Sequence, residues 1–364
     1  MKAAVLSQQP GTLEIEELRV DHPAAGEVLV RTVGAGLCHS DLHFMEGLFR
    51  LKVPAVLGHE SAGVVEAVGE GVTYVGPGDH VVCCLSLFCG TCRQCLSGAP
   101  NRCTNPAAVS RPRGAPPRLS RPDGTPIGQF ARLGGFAEQM LIHQNGVVKI
   151  DKDLPLETAA LVGCGVLTGT GAVFRTARVE AGSRVLVIGA GGIGLAAIQA
   201  ARIAGAGMVI VVDVSADKLE TAQQVGATAM VNAATTDNVV DAVRELSGGG
   251  VDYSFEAIGT KATAEQAFAA LDVGGVATII GMVPDNQPLE IKAMDLLGER
   301  RLQGTMMGSN QFRTDIPRLL AMYVDGRLDL DTMVTKTLTL EEVNEGFGLM
   351  KRGAVSRSVI AFPS

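Results

Sequence analysis

The sequence lacks the features of several classes of protein. It has no excess of positive charge, because 31 Lys and Arg stand against 38 Asp and Glu, for a formal net charge of -7. Such a chain is unsuited to nucleic acid or to anionic membrane surfaces, so a small-molecule partner is favoured. It also lacks a long hydrophobic run. The longest, residues 185–198, is shorter than the roughly 18 residues of a membrane span.

A secretory signal and internal repeats are missing as well. The start, MKAAVLSQQPG, has one Lys and only a short apolar run before Ser7, unlike a signal peptide. No segment recurs at the period of a solenoid. We therefore expect a cytoplasmic protein, and its 364 residues predict two domains.

Cysteines are present, and they cluster. In a large chain without a secretory signal, clustered cysteines indicate metal or redox chemistry rather than disulfides. Cys83 and Cys84 lie on a predicted strand, and we interpret them as buried small hydrophobic residues. The other cluster has the spacing CxxCxxCxxxxxxxC, which predicts a closed, structural zinc site formed by Cys89, Cys92, Cys95 and Cys103.

A second group of metal-binding side chains lies in residues 36–60, which contain one thiol, three imidazoles, a hydroxyl and three carboxylates. A catalytic zinc takes three protein ligands and leaves its fourth position to water or substrate. Cys38 and His59 are the first two candidates, and the third must come from elsewhere. The alternative is a buried thiol and a histidine satisfied by its neighbours.

The first 150 residues predict a β-rich, barrel-like unit, because short runs such as EVLVRTV and AGVVEAVG alternate with Gly and Pro punctuation. Residues 106–123 predict an irregular surface loop. This loop is either a solvated segment or a positive lip that attracts an anionic substrate. Its arginines are Arg111, Arg113, Arg118 and Arg121.

The second half of the chain alternates strands and helices. The apolar strand RVLVIG leads into the turn GAGGIG and a helical run, and the next strand, MVIVVD, ends in an acid 19 residues after the last of these glycines. This is the dinucleotide fingerprint, in which glycines let the backbone approach the pyrophosphate and the acid binds the ribose. The predicted cofactor-binding residues are Gly189, Gly191, Gly192, Ile193, Gly194 and Asp213.

The predicted cofactor is NAD rather than NADP. Asp213 would repel a 2′-phosphate, and no Arg follows it nearby. Lys218, one turn into the next helix, either contacts the adenosine ribose or is an exposed helix residue. Continued βα alternation predicts a doubly wound parallel sheet of about six strands, with RLQGTMMG as the last. The tail SVIAF is expected to return as a strand to the first domain.

Together these motifs resemble the zinc-containing medium-chain alcohol dehydrogenases over essentially the full length. The matches are GLCHSD, LGHESAGVV, GDHV, the four cysteines, GCGVLTGTG, GAGGIG with Asp213, and LEEVNEGFGLMKRGAVSR. The resemblance implies an α/β chain that has a GroES-like β-barrel catalytic domain and a Rossmann domain with a doubly wound parallel sheet. The expected bounds are 1–165 and 307–364 for the catalytic domain with both zinc sites, and 166–306 for the NAD-binding domain.

The resemblance also implies site residues that spacing alone does not give. Cys164 would be the third ligand of the catalytic zinc, and Asp41 would hold the second nitrogen of His59. Glu60 would lie behind the zinc and approach it during ligand exchange, or would form a plain buried ion pair. His39 and Arg357 would contact the cofactor pyrophosphate, and Thr168 would lie near the nicotinamide.

The implied chemistry is hydride removal from an alcohol, which is easy only once the oxygen carries negative charge. A bound zinc lowers the pKa of the alcohol toward neutrality. By resemblance, Ser40 takes the alcohol proton, the cofactor ribose passes it on, and His43 releases it to water. The expected cofactors are two zinc ions per chain and NAD.

The resemblance implies reversible oxidation of a primary alcohol. Aromatic and terpenoid alcohols are candidates, because Leu85 and Ser40 stand at pocket positions where many relatives carry bulkier residues, which would leave room beside the zinc. Relatives that oxidise the glutathione adduct of formaldehyde carry an acid in place of Phe49, and an Arg where this chain has Ala107 and Ala108. An enzyme that keeps NAD tightly bound is the main alternative. The complete catalytic set disfavours a non-enzymatic, zinc-stabilised binding protein, and a homodimer or homotetramer is expected.

Overall fold

The computed structural model describes residues 1–363, and the chain divides into two compact units. The first comprises Met1–Cys164, Gln311–Ala321 and the chain from Val334 to its end, and the second comprises Gly165–Asn310 and Met322–Met333. Residues 322–333 thus belong to the second unit, whereas the domain bounds predicted from the sequence assign them to the first domain. Those bounds stay a prediction.

Among the described residues, no single helix is both long enough and apolar enough to cross a membrane. The stretches Leu156–Gly163 and Gly165–Ala177 meet the length and composition of a span only when they are taken together across a bend.

The first unit is rich in strands before residue 150, as predicted. Along the middle of its longest strand, EVLVRTVGAG, every second residue from Val28 to Gly34 is buried and the residues between them are half-buried. Short helices lie at His39–Met45 (α1), Arg93–Leu96 (α2) and Leu156–Ala159 (α3). The strands are β1 Lys2–Leu6, β2 Leu13–Glu17, β3 Arg19–Val20, β4 Glu27–Gly36, β5 Ala55–Val56, β6 Ser61–Val68, β7 His80–Cys83, β8 Leu119–Ser120, β9 Pro126–Gln129, β10 Gln139–His143 and β11 Val147–Lys149.

The second unit has the predicted alternation of strands and helices. Its strands pair in parallel in the order β14-β13-β12-β15-β16-β17, and β12 and β15 lie at the point where the order reverses. The strands are β12 Arg184–Ile188, β13 Met208–Asp213, β14 Ala229–Asn232, β15 Val251–Glu256, β16 Leu271–Ile279 and β17 Arg301–Gly304. The helices are α4 Gly165–Gly171, α5 Gly192–Ile203, α6 Ala216–Gln224, α7 Val239–Ser247, α8 Lys261–Ala269 and α9 Ala293–Leu297.

The last part of the chain contains α10 Phe312–Val324, β18 Lys336–Leu338, α11 Val343–Lys351 and β19 Ser358–Ala361. As predicted, the tail returns to the first unit, where β19 pairs antiparallel with β4. The first unit thereby has two sheets among the described residues. Their orders are β2-β1-β5-β9-β8-β3 and β11-β7-β6-β4-β19-β18, and β10 pairs with β4.

The loop of residues 106–123 is mostly irregular, and three of its four arginines pair with acidic side chains of the first unit. Arg111 binds Glu27 and Asp21, Arg118 binds Glu27, and Arg121 binds Glu16. Burial raises the pKa of Glu27, but hydrogen bonds from Arg111, from a backbone amide and from Arg118 outweigh it and lower the pKa to about 2. Three of the four arginines therefore tie the loop to the β-rich unit, and the positive-lip interpretation is wrong for them.

Candidate metal centres and nucleotide site

The four cysteines of residues 89–103, here called the cysteine lobe, come together beside α2. The Cys92 sulfur lies 3.5 Å from that of Cys95 and 3.9 Å from that of Cys103, and the sulfurs of Cys89 and Cys95 are 3.9 Å apart. Because Zn–S bonds are about 2.3 Å long, tetrahedral geometry requires sulfurs about 3.8 Å apart. The lobe therefore fits a zinc ion. All four ligand atoms lie within 4.8 Å of one another.

Backbone amides support the sulfurs of the lobe. The N–H groups of Thr91 and Cys92 donate to the sulfur of Cys89, and the N–H of Cys89 donates to the sulfur of Cys103. Hydrogen bonds from backbone N–H groups lower the pKa of Cys92 to about 5. Such donors favour thiolates, the form that binds metal.

A second cluster, here called the buried triad, consists of Cys38, His59 and Cys164. Its ligand atoms also lie within 4.8 Å of one another, and all three residues are buried. Cys38 follows β4 and precedes α1, His59 precedes β6, and Cys164 follows the 3-10 turn Ala160–Gly163. A thiolate, imidazole and thiolate set fits zinc and supplies three ligands rather than four.

Close backbone approaches next to the triad require glycine. A Cβ at Gly163 would lie 2.4 Å from the carbonyl oxygen of Cys83, and one at Gly36 would lie 2.5 Å from Oε1 of Glu60. Gly58, with φ of +88°, would bring a Cβ to 2.5 Å from the amide nitrogen of Phe136. The glycines flanking the ligands thus let the three segments meet.

Asp41 lies behind His59, as the resemblance implies. Its Oδ2 is 3.0 Å from Nδ1 of His59, and its Oδ1 accepts from the N–H of Gly58 at 3.0 Å. Burial opposes a charge on His59, but the charges of Asp41 and Cys38 outweigh it and raise its pKa well above the usual value. A carboxylate on Nδ1 orients the ring so that Nε2 is the nitrogen available to a metal.

Within the triad, the thiols of Cys38 and Cys164 shift each other's pKa in opposite directions. The hydrogen bond with Cys164 lowers the pKa of the Cys38 thiol, while the same contact and burial raise the pKa of Cys164. A cation would stabilise both thiolates.

Glu60 and Arg357 form a buried ion pair beside the triad. The guanidinium of Arg357 donates to both carboxylate oxygens of Glu60 and, through Nη1, to the carbonyl of Leu37 at 3.0 Å. Of the two expectations for Glu60, the ion pair is the one present. The predicted contact of Arg357 with a cofactor stays a prediction.

The predicted relay residues lie on α1, which the sequence places directly after the first metal ligand. His39 is exposed, whereas Ser40 and His43 are half-buried. Burial lowers the pKa of His43, and the charges of Cys38 and Glu46 act in the opposite direction. Because its pKa is lowered, this imidazole stays neutral, and hence able to accept a proton, at pH values somewhat below the ordinary histidine pKa near 6.5.

Sequence analysis did not predict a row of aromatic rings that runs from His43 to His59. The ring centroids are 6.1 Å apart for His43 and Phe49, 5.8 Å for Phe49 and Phe44, 4.6 Å for Phe44 and Phe130, and 5.5 Å for Phe130 and His59. Phe130 follows the irregular loop and β9, so no local periodicity points to it. Only long-range folding brings it to a metal ligand.

In the second unit, the glycine turn and Asp213 meet at the ends of β12 and β13. The Asp213 carboxylate accepts from the N–H of Ala190 at 2.8 Å and from that of Ser215 at 3.0 Å. A Cβ at Gly194 would lie 1.7 Å from the carbonyl oxygen of Gly189, whereas one at Gly191 would meet nothing within 4 Å. The turn is therefore open at the N-terminus of α5, as a pyrophosphate requires.

The other two predicted cofactor residues lie elsewhere in this unit. Thr168 is buried in α4, and its hydroxyl donates to the sulfur of Met307 at 3.4 Å. Lys218 is half-buried in α6, where its backbone N–H donates to the capping Ser215 side chain. Their contacts with a cofactor stay predictions.

Comparison with known proteins identifies the family. Residues 24–152 match the alcohol dehydrogenase GroES-like domain, and residues 192–323 match the zinc-binding dehydrogenase domain. The chain is 43% identical to an NDMA-dependent alcohol dehydrogenase of Amycolatopsis methanolica, with 99% of this chain and 98% of that one covered. The chain belongs to the zinc-containing medium-chain alcohol dehydrogenases.

Two further relatives agree with this family. The chain is 38% identical to an S-(hydroxymethyl)glutathione dehydrogenase of Paracoccus denitrificans, with 99% of each covered. Its fold matches that of benzyl alcohol dehydrogenase from Acinetobacter calcoaceticus with a TM-score of 0.91 and 32% identity, covering 100% of this chain and 99% of that one. The chain is thus an enzyme, an NAD-dependent zinc alcohol dehydrogenase whose substrates are small-molecule alcohols or aldehydes.

Proposed function

We propose that this enzyme oxidises primary alcohols with a bulky apolar, preferably aromatic, substituent to aldehydes, and that it also catalyses the reverse reaction. The observation that carries the proposal is the row of rings from His43 to His59, with Phe49, Phe44 and Phe130 between them. Apolar and aromatic walls with a few polar groups are typical of sites for apolar ligands. The similar benzyl alcohol dehydrogenase is named for an aromatic alcohol.

Each metal centre has a separate proposed role. The cysteine lobe would hold a structural zinc, since its four ligands close the coordination shell. The buried triad would hold the catalytic zinc, which as a Lewis acid lowers the pKa of a bound alcohol. Asp41 would keep the His59 ring in the orientation that leaves Nε2 available. Glu60 would stay paired with Arg357 and keep a negative charge close behind the triad.

The proton of the alcohol would leave by way of α1. The hydroxyl of Ser40 would accept it while passing its own proton on, and the neutral imidazole of His43 would then accept the transferred proton and release it to water. The lowered pKa of His43 supports this role, because the ring is free to accept a proton at neutral pH.

Selection of NAD over NADP is assigned to Asp213. The carboxylate ends β13 and accepts the N–H of Ala190 in the glycine turn, so a negative charge lies where a 2′-phosphate would approach. The double change Asp213→Gly with Val214→Arg removes that charge and adds a phosphate partner. The kcat/KM ratio should shift toward NADP, and an unchanged ratio would mean that the ribose acid is misassigned.

A second candidate is an enzyme that keeps NAD permanently bound and returns the hydride to a second substrate. The 43% identity to an NDMA-dependent alcohol dehydrogenase favours it. The glutathione adduct of formaldehyde is a weaker candidate in spite of the Paracoccus relative, because Phe49 is apolar and residues 107 and 108 are Ala.

We also propose a cytoplasmic homodimer or homotetramer. Among the described residues, β17 is the last strand of its sheet, and exposed apolar side chains lie nearby in sequence at Met294, Leu296 and Leu297. Unpaired edges and exposed apolar groups favour association with a second copy. The cysteines are free thiols, which suits a reducing compartment.

The test is a panel of aromatic, terpenoid, short aliphatic and glutathione-adduct substrates, assayed with added NAD and with added NADP. Benzylic alcohols with NAD should give the highest kcat/KM. Highest efficiency with short aliphatic alcohols would contradict the substrate class. Cofactor absorbance that survives desalting, together with activity that needs no added NAD but an external acceptor, would select the second candidate.

A further inference from the structure

The turn after β1 is hydrogen-bonded to the chain that follows α1. The side-chain amide of Gln9 donates to the carbonyls of Phe44, at 2.5 Å, and Phe49, at 2.6 Å. Its carbonyl oxygen accepts from the N–H of Leu51 at 3.0 Å. Gln is among the few side chains with two donors and an acceptor on one planar group, so a single residue fixes three backbone groups.

These hydrogen bonds add to those that already hold the segment, in which the N–H groups of Glu46, Gly47 and Leu48 donate to carbonyls of α1. Residues 46–48 are exposed, and Gly47 has φ of +80°, so the chain turns sharply here outside any helix or strand. Gln9 fixes both sides of this turn, the end of α1 at Phe44 and the following chain at Phe49. One further backbone hydrogen bond, from Gly11 to the carbonyl of Met45 at 2.9 Å, joins the same two segments.

His43 lies in the last turn of α1, directly before this turn of the chain. Its Nδ1 is buried and has no hydrogen-bond partner within residues 1–363. Its ring packs against Phe49, at 6.1 Å between centroids, and against His39, at 6.4 Å. The Phe49 backbone that carries one of these rings is bonded to Gln9. A displaced Phe49 would let the His43 ring rotate, because no hydrogen bond at Nδ1 holds it.

We propose that Gln9 is a positioning residue for proton transfer by His43, acting through the carbonyls of Phe44 and Phe49. This rests on the proposed function, in which His43 accepts the proton of the alcohol. Gln9 touches neither substrate nor cofactor in this scheme. Its hydrogen bonds set the distance between the end of α1 and the Phe49 ring, and errors of about 1 Å in such supporting contacts can cost up to about 10²-fold in rate.

The test is a double-mutant cycle of Gln9→Leu and His43→Gln, with Gln8→Leu as the matched control. Gln8 is the adjacent, exposed residue of the same turn, and its side chain has no hydrogen bond among the described residues. Each zinc-loaded enzyme is assayed for kcat at pH 7 with the best alcohol of the panel, with and without added imidazole. Melting temperature and zinc content are recorded for all variants.

Gln9→Leu should lower kcat about 10-fold in the wild-type background, and less than about twofold in the His43→Gln background, because both changes disable the same step. Imidazole should restore part of the loss in each single variant, since an external base can accept the proton in place of a misplaced or missing one. Gln8→Leu should keep wild-type kcat. If Gln9→Leu does not fold, Gln9→Met, which keeps the unbranched chain, takes its place.

An equal fall in kcat from Gln9→Leu in both backgrounds, or a lowered melting temperature with wild-type kcat, would overturn the proposal. Gln9 would then have only a structural role. Either result beside an impaired His43→Gln variant would leave the relay itself intact. An unimpaired His43→Gln enzyme would instead overturn the relay, and with it the role of Gln9.

Discussion

The cysteine lobe and the buried triad are both thiol-rich candidate metal sites, yet they are built in opposite ways. The lobe takes four ligands from 15 consecutive residues, all of them half-exposed. The triad takes three ligands from segments that begin at Cys38 and end at Cys164, and each is at most 4% exposed. The lobe is supported by backbone amides, whereas the triad is supported by side chains, Asp41 above all.

This difference predicts that the lobe contributes to stability and the triad to reactivity. A closed set of four thiolates leaves no position for substrate, so its metal can contribute only to folding. A buried set of three leaves a position open and excludes water from most of its surroundings, which strengthens electrostatic effects on a bound alcohol. The two centres should therefore respond differently to equivalent mutations.

Cys164→Ser should have the largest effect. It removes one ligand of the triad, and kcat should fall by at least about 10³-fold, because Lewis-acid stabilisation is worth several kcal/mol. The melting temperature should change little, since the residue stays small and buried. Steady-state kinetics measures kcat, a thermal melt measures the melting temperature, and elemental analysis counts the zinc that stays bound. A large fall in melting temperature with substantial activity left would reverse the assigned roles.

Cys92→Ser should have the converse effect. It opens the lobe, and the free energy of unfolding should fall by several kcal/mol, because metal binding energy is folding energy at such sites. The fraction that stays folded should keep a kcat within a few-fold of wild type and one zinc per chain. Denaturant unfolding followed by elemental analysis checks this. Unchanged melting with lost turnover would break the comparison.

His43→Gln should sharpen the comparison, because only the triad needs a route for protons. Burial lowers the pKa of His43, so the wild-type imidazole stays neutral and active until the pH falls below its ordinary value near 6.5. The variant should lose about 10²-fold in kcat at acidic to neutral pH, where hydroxide is scarce, and less as the pH rises.

Imidazole buffers should partly restore His43→Gln, because an external base can accept the same proton. They should not restore Ser40→Ala, which lacks the group proposed to touch the alcohol. A pH series of kcat with and without buffer base measures both. Equal rescue of the two variants, or full activity of His43→Gln at every pH, would leave His43 as a structural histidine.

The sequence predicts the features that depend on residues close together in the chain, and it does not predict those that depend on distant residues. The lobe spacing, the glycine turn and the alternation of strands and helices in the second unit are local patterns, and the structure has each of them. The third ligand, Cys164, lies far from Cys38 and His59 in sequence, and only the resemblance to a family pointed to it.

Contacts between distant segments had no signal in the sequence. Glu27 is followed by an ordinary strand pattern, yet it receives hydrogen bonds from Arg111 and Arg118, which are more than 80 residues away. Gln9 likewise reaches Phe49 across 40 residues. Partners of this kind depend on the packing of sheets and loops, which periodicity and spacing do not encode.

The smallest expected effect comes from replacing a residue that hydrogen-bonds to a candidate ligand, Asp41 at the triad or Thr91 at the lobe. Asp41→Asn replaces the carboxylate 3.0 Å from Nδ1 of His59 with a neutral amide of nearly the same size. Such supporting changes typically weaken metal binding by about 10- to 100-fold.

Thr91→Val is the matched change in the lobe, where it removes only a 3.5 Å hydroxyl contact to the sulfur of Cys89 and leaves the backbone donors in place. It should change zinc affinity less than Asp41→Asn does, because two backbone N–H groups still donate to the same sulfur. Competition with a chromophoric chelator resolves the two zinc ions, and the Cys92→Ser enzyme, which keeps only the triad, shows which release belongs to which centre. In Asp41→Asn, one zinc should leave more readily while the other is unaffected. Equal weakening of both centres in either variant would mean that they are coupled through the fold, and an unchanged Asp41→Asn enzyme would mean that burial alone orients His59.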